Sequence, residues 1–130
     1  MGSGFSNTST TSSPSVSQTL NHENNPHLVY DEFIKSTLDK HKIVIFSKVN
    51  CIYCTKAKSA LNQLKLTYHS IELDKNEQCP NENCANLSQR LILQTRIRTV
   101  PQIFINGKFI GGFTDLDNLI KKDELKNYLD

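Results

Sequence analysis

Lys42-Ile43-Val44-Ile45-Phe46-Ser47-Lys48-Val49-Asn50-Cys51-Ile52-Tyr53-Cys54 is the stretch that decides how this chain folds. Residues 42–46 form an apolar run of the length of a buried strand. Two cysteines three apart follow. From Thr55 to Lys65, Ala57, Ala60, Leu61 and Leu64 recur at helical spacing. The dithiol therefore stands where a strand hands over to a helix, with Cys51 at the helix N-terminus. Unpaired N–H groups and the helix dipole favour negative charge there. The thiolate, which is the nucleophilic form of cysteine, is favoured at such a place. Lys48, three residues earlier, adds a positive charge. Cys51 reads as the attacking sulfur and Cys54, one turn into the helix, as its resolving partner.

A zinc half-site and a structural cysteine pair are the competing readings. Zinc would need a second ligand pair at suitable spacing. A CxxC beside a βαβ pattern is instead a redox signature, and the surrounding sequence supplies that pattern. Leu28, Phe33, Ile34 and Leu38 predict a helix over 27–39, before the strand at 42–47. The helix at 52–65 is followed by an alternating strand at 68–73, then by a helix at 84–96 containing Leu87 and Leu91. Gln102-Ile103-Phe104-Ile105 and Lys108-Phe109-Ile110 flank Asn106-Gly107, a strong hairpin signal because both turn positions need positive φ. Gly111-Gly112 ends the second strand. Thr114 is expected to cap a helix carrying Asp115 and Asp117 in its first turn, and helical spacing continues through Leu125, Tyr128 and Leu129. The order αβαβαββα predicts an α/β domain, a mixed four-stranded sheet with helices on both faces.

The chain has 130 residues, a net charge of +2 and 37% apolar residues, which suits one domain and a tail. Residues 1–26 are rich in Ser, Thr and Asn and too poor in apolar residues to offset the entropy of ordering, so they are expected to be a disordered tail before a domain at 27–130. The charge is asymmetric. Residues 1–34 hold no Lys or Arg and three acids, and all the basic residues follow. A mildly basic domain suits a small anionic ligand. There is no Arg cluster or aromatic–basic interleaving of a nucleic-acid binder, no apolar run long enough to span a bilayer, and no cleavable apolar signal. A reducing, cytoplasmic setting is expected. Met1-Gly2-Ser3-Gly4-Phe5-Ser6 fits the acceptor pattern for N-myristoylation at Gly2, or is a chance match. One acyl chain would give only weak, peripheral membrane association.

Taken together, Phe46-Ser47-Lys48, Cys51-Ile52-Tyr53-Cys54, Thr99-Val100-Pro101, Asn106-Gly107 and Gly111-Gly112-Phe113-Thr114-Asp115 resemble a dithiol glutaredoxin over residues 27–130. The resemblance implies a thioredoxin-like fold and a glutathione-dependent thiol–disulfide oxidoreductase that reduces protein–glutathione mixed disulfides and protein disulfides, in cell redox homeostasis. It implies catalytic roles for Cys51 and Cys54. It also implies a glutathione site in which Lys48 meets the glycine carboxylate and the Val100 backbone, before a cis Pro101, pairs with the tripeptide as an added strand. Thr99 and Gly112 flank that site, Tyr53 lies beside the mixed disulfide, and Thr114 and Asp115 hold the γ-glutamyl end. Glutaredoxins place a Gln or basic residue on the third helix. A gapless count back from Val100 reaches Ser88, and Gln89 beside it suits the chemistry.

Three departures from the pattern bear on function. Ile52 replaces the commonest residue, Pro, after the first cysteine. Loss of that proline is shared with glutaredoxins that resemble scaffold proteins, in which two monomers and two glutathiones hold a [2Fe–2S] cluster. Here Cys51 would be the protein ligand of such a dimer, the alternative function being iron–sulfur carrier or redox sensor. The segment 76–84 lengthens the connection after Leu73, and its Cys79 and Cys84 either close a small disulfide or stand as two surface thiols. Phe113 is bulky for its place and is expected to narrow the site.

Overall fold

A computed structural model describes residues 25–130. The tail reading, most of it, and the acylation reading at Gly2 lie outside these residues. The elements run α1 (Leu28–Lys40), β1 (Ile43–Ser47), α2 (Ile52–Gln63), β2 (His69–Glu72), two single 3₁₀ turns (Asn76–Gln78 and Pro80–Glu82), α3 (Cys84–Thr95), β3 (Gln102–Ile105), β4 (Lys108–Gly111), α4 (Phe113–Lys121) and α5 (Lys126–Leu129). The 3₁₀ turns fill the long connection after Leu73. No helix among the described residues is long and apolar enough to cross a membrane.

The four strands form one sheet in the order β2-β1-β3-β4. β1 and β2 are parallel, joined by the crossover helix α2, and β3 runs antiparallel to both β1 and β4. Every residue of β1 is buried, as expected of an inner strand covered on both faces. Alternate residues serve alternate faces. Val44 and Phe46 point to the side closed by Tyr30 and Ile34 of α1 and Leu87 and Leu91 of α3. Ile43 and Ile45 point to the side closed by Ala57 and Leu61 of α2 and Leu116 of α4. Each such buried aliphatic or aromatic side chain contributes about 1.5–3 kcal/mol relative to exposure. This is the mixed sheet with helices on both faces that the periodicity predicts.

The hairpin turn has Asn106 at φ 51° and Gly107 at φ 79°, the paired positive values that favour Asn-Gly. Asn106 Nδ2 also donates to the Tyr128 carbonyl at 2.7 Å, tying α5 to the turn. Three non-glycine residues end helices in left-handed backbone, Lys65 after α2 (φ 59°), Arg96 after α3 (φ 66°) and Asp123 after α4 (φ 57°).

The start of α4 corrects the expected cap. The N-cap is Gly112, not Thr114, and the helix begins at Phe113. Asp115 reaches back so that its Oδ2 accepts from Gly112 N–H at 2.9 Å. Gly112 in extended backbone opens the helix two residues early, and the carboxylate one turn in does the capping. Gly111 precedes it at φ 123°, and a Cβ there would run into the Asp115 carboxylate.

Cys79 and Cys84 are joined by a disulfide. Both are buried, on the α1/α3 side of the sheet. The surface-thiol reading is thereby set aside: Leu73, Leu87 and their neighbours draw both sulfurs into the core.

Candidate active site

Cys51 is the N-cap of α2. Its Sγ accepts the Cys54 backbone N–H at 3.2 Å and lies 3.7 Å from the Val100 carbonyl oxygen, to which the thiol donates. Its own carbonyl accepts from Thr55 N at 3.0 Å and Thr55 Oγ1 at 3.2 Å, starting the helix. The sulfur is thus aimed along the unpaired N–H groups of a helix start and remains partly exposed. Cys54 faces inward and is only 1% exposed. Burial pushes its thiol up to about 11, and its hydrogen bond with Cys51 adds to the rise, against the Ser47 side chain and the Lys48 backbone. The two sulfurs are therefore unequal, as their sequence positions predict. Cys51 is sterically open to a disulfide, whereas Cys54 is buried and holds its proton.

The Val100–Pro101 peptide bond is cis, as expected. The residues around it line a groove of about 630 Å³. Its walls include Tyr53, Thr99, Val100, Pro101, Gly112, Thr114 and Asp115, all expected from the sequence. Gln102 is 2% exposed and pins the approach to the cis bond, its Nε2 donating to the carbonyls of Ile97 at 2.7 Å and Thr99 at 3.2 Å. Phe113 lines the groove, 6.2 Å from the Tyr53 ring, with Lys56 Nζ 5.3 Å from the Tyr53 centroid and 6.0 Å from that of Phe113. One wall is thus an aromatic pair with the Lys56 ammonium over both rings. Around Cys51 the surface is apolar, with Ile52 67% and Tyr53 54% exposed.

A sequence model described as Glutaredoxin matches residues 43–110. Glutaredoxin-C4 of Arabidopsis thaliana is 41% identical over 98 residues, covering 75% of this chain and 69% of that one. The chain belongs to the glutaredoxin family. The mitochondrial Glutaredoxin-2 of Bos taurus is 40% identical over 92 residues, covering 71% of this chain and 55% of that one. The chain thus spans about half the length of that relative. In structure, a buckwheat glutaredoxin–glutathione complex matches with a TM-score of 0.69 at 29% identity, covering 78% of this chain and 87% of that one. Glutaredoxins are glutathione-dependent thiol–disulfide oxidoreductases with a thioredoxin-like fold, and the mixed four-stranded sheet with helices here matches that fold.

Three residues expected in the glutaredoxin site do not line the groove; Cys51 borders it through its contact with the Val100 carbonyl, and two stand apart from it. Lys48 and Gln89 are exposed and do not line it. Lys48 is held near the cysteines by its turn, because the Asp74 carboxylate accepts the Val49 N–H at 3.1 and 3.2 Å. Gln89 lies on the outer side of α3, whose Leu87 and Leu91 point inward. Several glutaredoxin residues at or beneath the site were not singled out from sequence. Ile97, Phe109 and Ile110 complete the groove walls. Ser47, Lys58 and Glu72 form a polar cluster under α2, with Lys58 Nζ 2.8 Å from Glu72 Oε2. The one signal available was a buried-strand pattern interrupted by polar residues at 47, 72 and 102.

Cys51 is the one cysteine thiol of this glutaredoxin that reaches the surface, since Cys54 is buried and Cys79 and Cys84 are paired. Among the described residues no group of three or more His, Cys, Asp or Glu could hold a metal ion.

Proposed function

We propose that this glutaredoxin reduces protein–glutathione mixed disulfides, and protein disulfides, at the expense of glutathione. The observation that carries this reading is the inequality of its two sulfurs. Cys51 is a partly exposed helix N-cap beside the Val100 carbonyl, and Cys54 is buried with its thiol pushed up to about 11. The buckwheat relative's complex with glutathione supports the groove as the place where the tripeptide lies. In this reading Val100 pairs with its backbone, Thr114 and Asp115 take the γ-glutamyl end, and Lys48 approaches the glycine carboxylate.

The Cys51 thiolate attacks the glutathione sulfur of a mixed disulfide. The protein thiolate leaves and takes up a proton, and Cys51 carries glutathione. A second glutathione thiolate then attacks that glutathione sulfur, releasing Cys51 and glutathione disulfide. On the dithiol route Cys54 attacks Cys51 instead, glutathione leaves as thiol, and the Cys51–Cys54 disulfide forms. The deciding assay is glutathione-dependent reduction of a protein mixed disulfide. Cys51→Ser is expected to abolish turnover, and Cys54→Ser to keep deglutathionylation while losing protein-disulfide reduction. A Cys51→Ser variant with normal turnover would overturn the assignment. Iron and sulfide analysis of the anaerobically purified protein tests the cluster-bound dimer, for which Cys51 would be this chain's ligand.

A further inference from the structure

Ser47 closes β1 and is wholly buried. Across the parallel β1–β2 ladder its Cα partner is Glu72, so the two side chains leave the sheet on one face. That face lies under α2, whose Lys58 reaches Glu72. Cys54 and Lys58 are four apart on α2 and so share one stripe of the helix. Cys54, Ser47, Glu72 and Lys58 therefore converge between helix and sheet, Ser47 and Cys54 buried and Glu72 and Lys58 partly so.

The Ser47 hydroxyl has three acceptors around it. It donates to the Lys48 carbonyl oxygen at 3.3 Å, and it faces the Cys54 sulfur and the Glu72 carboxyl, each of which its side chain draws downward in pKa. A hydroxyl has one proton to donate. With that proton on the Lys48 carbonyl, Glu72 Oε1 is left buried without a partner, while Oε2 accepts from Lys58 Nζ at 2.8 Å and Ser70 Oγ at 2.6 Å.

We propose that Ser47 is a positioning residue for the resolving step: its hydroxyl turns from its oxygen acceptors to donate to Cys54 Sγ as that sulfur attacks the Cys51–glutathione disulfide, and the Glu72 carboxylate competes for the same proton. The proposal rests on the reading that Cys51 carries glutathione. In the step the Cys54–Cys51 bond forms and the Cys51–glutathione bond breaks. Cys54 gives up its proton and glutathione leaves as a thiol. The Cys54 sulfur is oxidised from thiol to disulfide, the glutathione sulfur is reduced to thiol, and the Cys51 sulfur stays at the disulfide level. At a sulfur 1% exposed, water is poorly placed to solvate the growing negative charge, so an internal donor carries more weight.

Glu72 does not act as the base. Burial alone would raise its carboxyl, but hydrogen bonds from Lys58, Ser70 and Ser47 and the Lys58 charge outweigh it and hold it below its usual range. Burial has meanwhile raised Cys54 to about 11. Moving a proton from Cys54 to Glu72 is therefore unfavourable, since one group is raised and the other lowered. The carboxylate instead draws the hydroxyl away from sulfur and neutralises Lys58, and both effects slow Cys54.

The test uses the full chain with Cys51 first loaded from glutathione disulfide, then desalted, with release of glutathione timed at pH 7. Ser47→Ala is expected to slow release about ten-fold or more, the worth of a hydrogen bond to a charged group. Ser47→Thr, which keeps the hydroxyl, is expected to restore it. Glu72→Gln, which leaves Ser47 in place, is expected to speed release. An unchanged rate in Ser47→Ala, a Thr variant as slow as Ala, or a slower Glu72→Gln would each overturn the proposal. Failure of the wild type to take up glutathione on Cys51 would instead overturn the function it rests on.

Discussion

Cys51 Sγ lies 3.7 Å from the carbonyl oxygen of Val100, the residue that enters the cis bond to Pro101. Forty-nine residues separate the two in sequence. The contact joins the start of α2, a helix packed on the sheet, to the entry of β3, a strand within it. A ligand that pairs with the Val100 backbone is thereby brought to the sulfur.

Thiol labelling should separate the two cysteines. In the reduced-active-site protein at pH 7–8, iodoacetamide is expected to modify Cys51 and spare Cys54 until the chain unfolds, as read by peptide mass spectrometry. Equal labelling of both in the folded state would contradict the burial of Cys54.

The same thiol makes stability depend on pH. Cys54 is raised by burial from 9.0 in the open chain to about 11 in the fold. Between those values the unfolded chain has lost the proton that the folded chain keeps. The contribution is fully present below about pH 9 and lost as pH rises towards about 11, at most about 2–3 kcal/mol. Urea unfolding at pH 8 and pH 10.5 should show a loss that is smaller in Cys54→Ala.

Gly111→Ala should destabilise the domain by about 2–3 kcal/mol, because the backbone there is left-handed and the new Cβ meets the Asp115 carboxylate. Asp115→Ala removes only the cap and should cost about 1 kcal/mol. Denaturant midpoints decide between the two magnitudes, and both variants should bind glutathione less tightly.

Asp74→Ala should free the turn that carries Lys48 by removing the acceptor of Val49 N–H. A stability loss of about 1–2 kcal/mol is expected. The KM for glutathione should rise more than kcat falls, since Lys48 is loosened while Cys51 keeps its helix cap.

Opening the Cys79–Cys84 ring, by Cys84→Ser with Cys79→Ser, should lower stability by about 2 kcal/mol, as the short five-residue separation implies. Non-reduced mass spectrometry should find this pair joined, and Cys51 and Cys54 free.

Local signals carried most of the architecture. The apolar run at 43–46, the helical spacing of Ala57 and Leu61, and Asn106-Gly107 each declare an element within a few residues of sequence, and the elements lie where they point. The cap of α4 was misplaced because Thr114 is a good capping residue by type. The actual cap depends on Gly112 being extended and on Asp115 folding back. The count back from Val100 reaches Ser88 and the chemistry favours its neighbour Gln89, but neither registers that Leu87 and Leu91 fix which side of α3 faces inward. The Ser47–Glu72 pairing was out of reach for a related reason, since it exists only through the register of two strands twenty-five residues apart. Cys79 and Cys84 were visible as a possible ring, and only their burial decides it.

Lys65 and Arg96 end their helices with positive φ, where a Cβ is a burden and glycine has none. Glycine at either place should therefore raise stability, by about 0.5–1 kcal/mol each in urea unfolding, without touching the groove or the cysteines. Two surface positions thus hold a reserve that selection has left untapped, on which a less stable active-site variant could draw to stay folded.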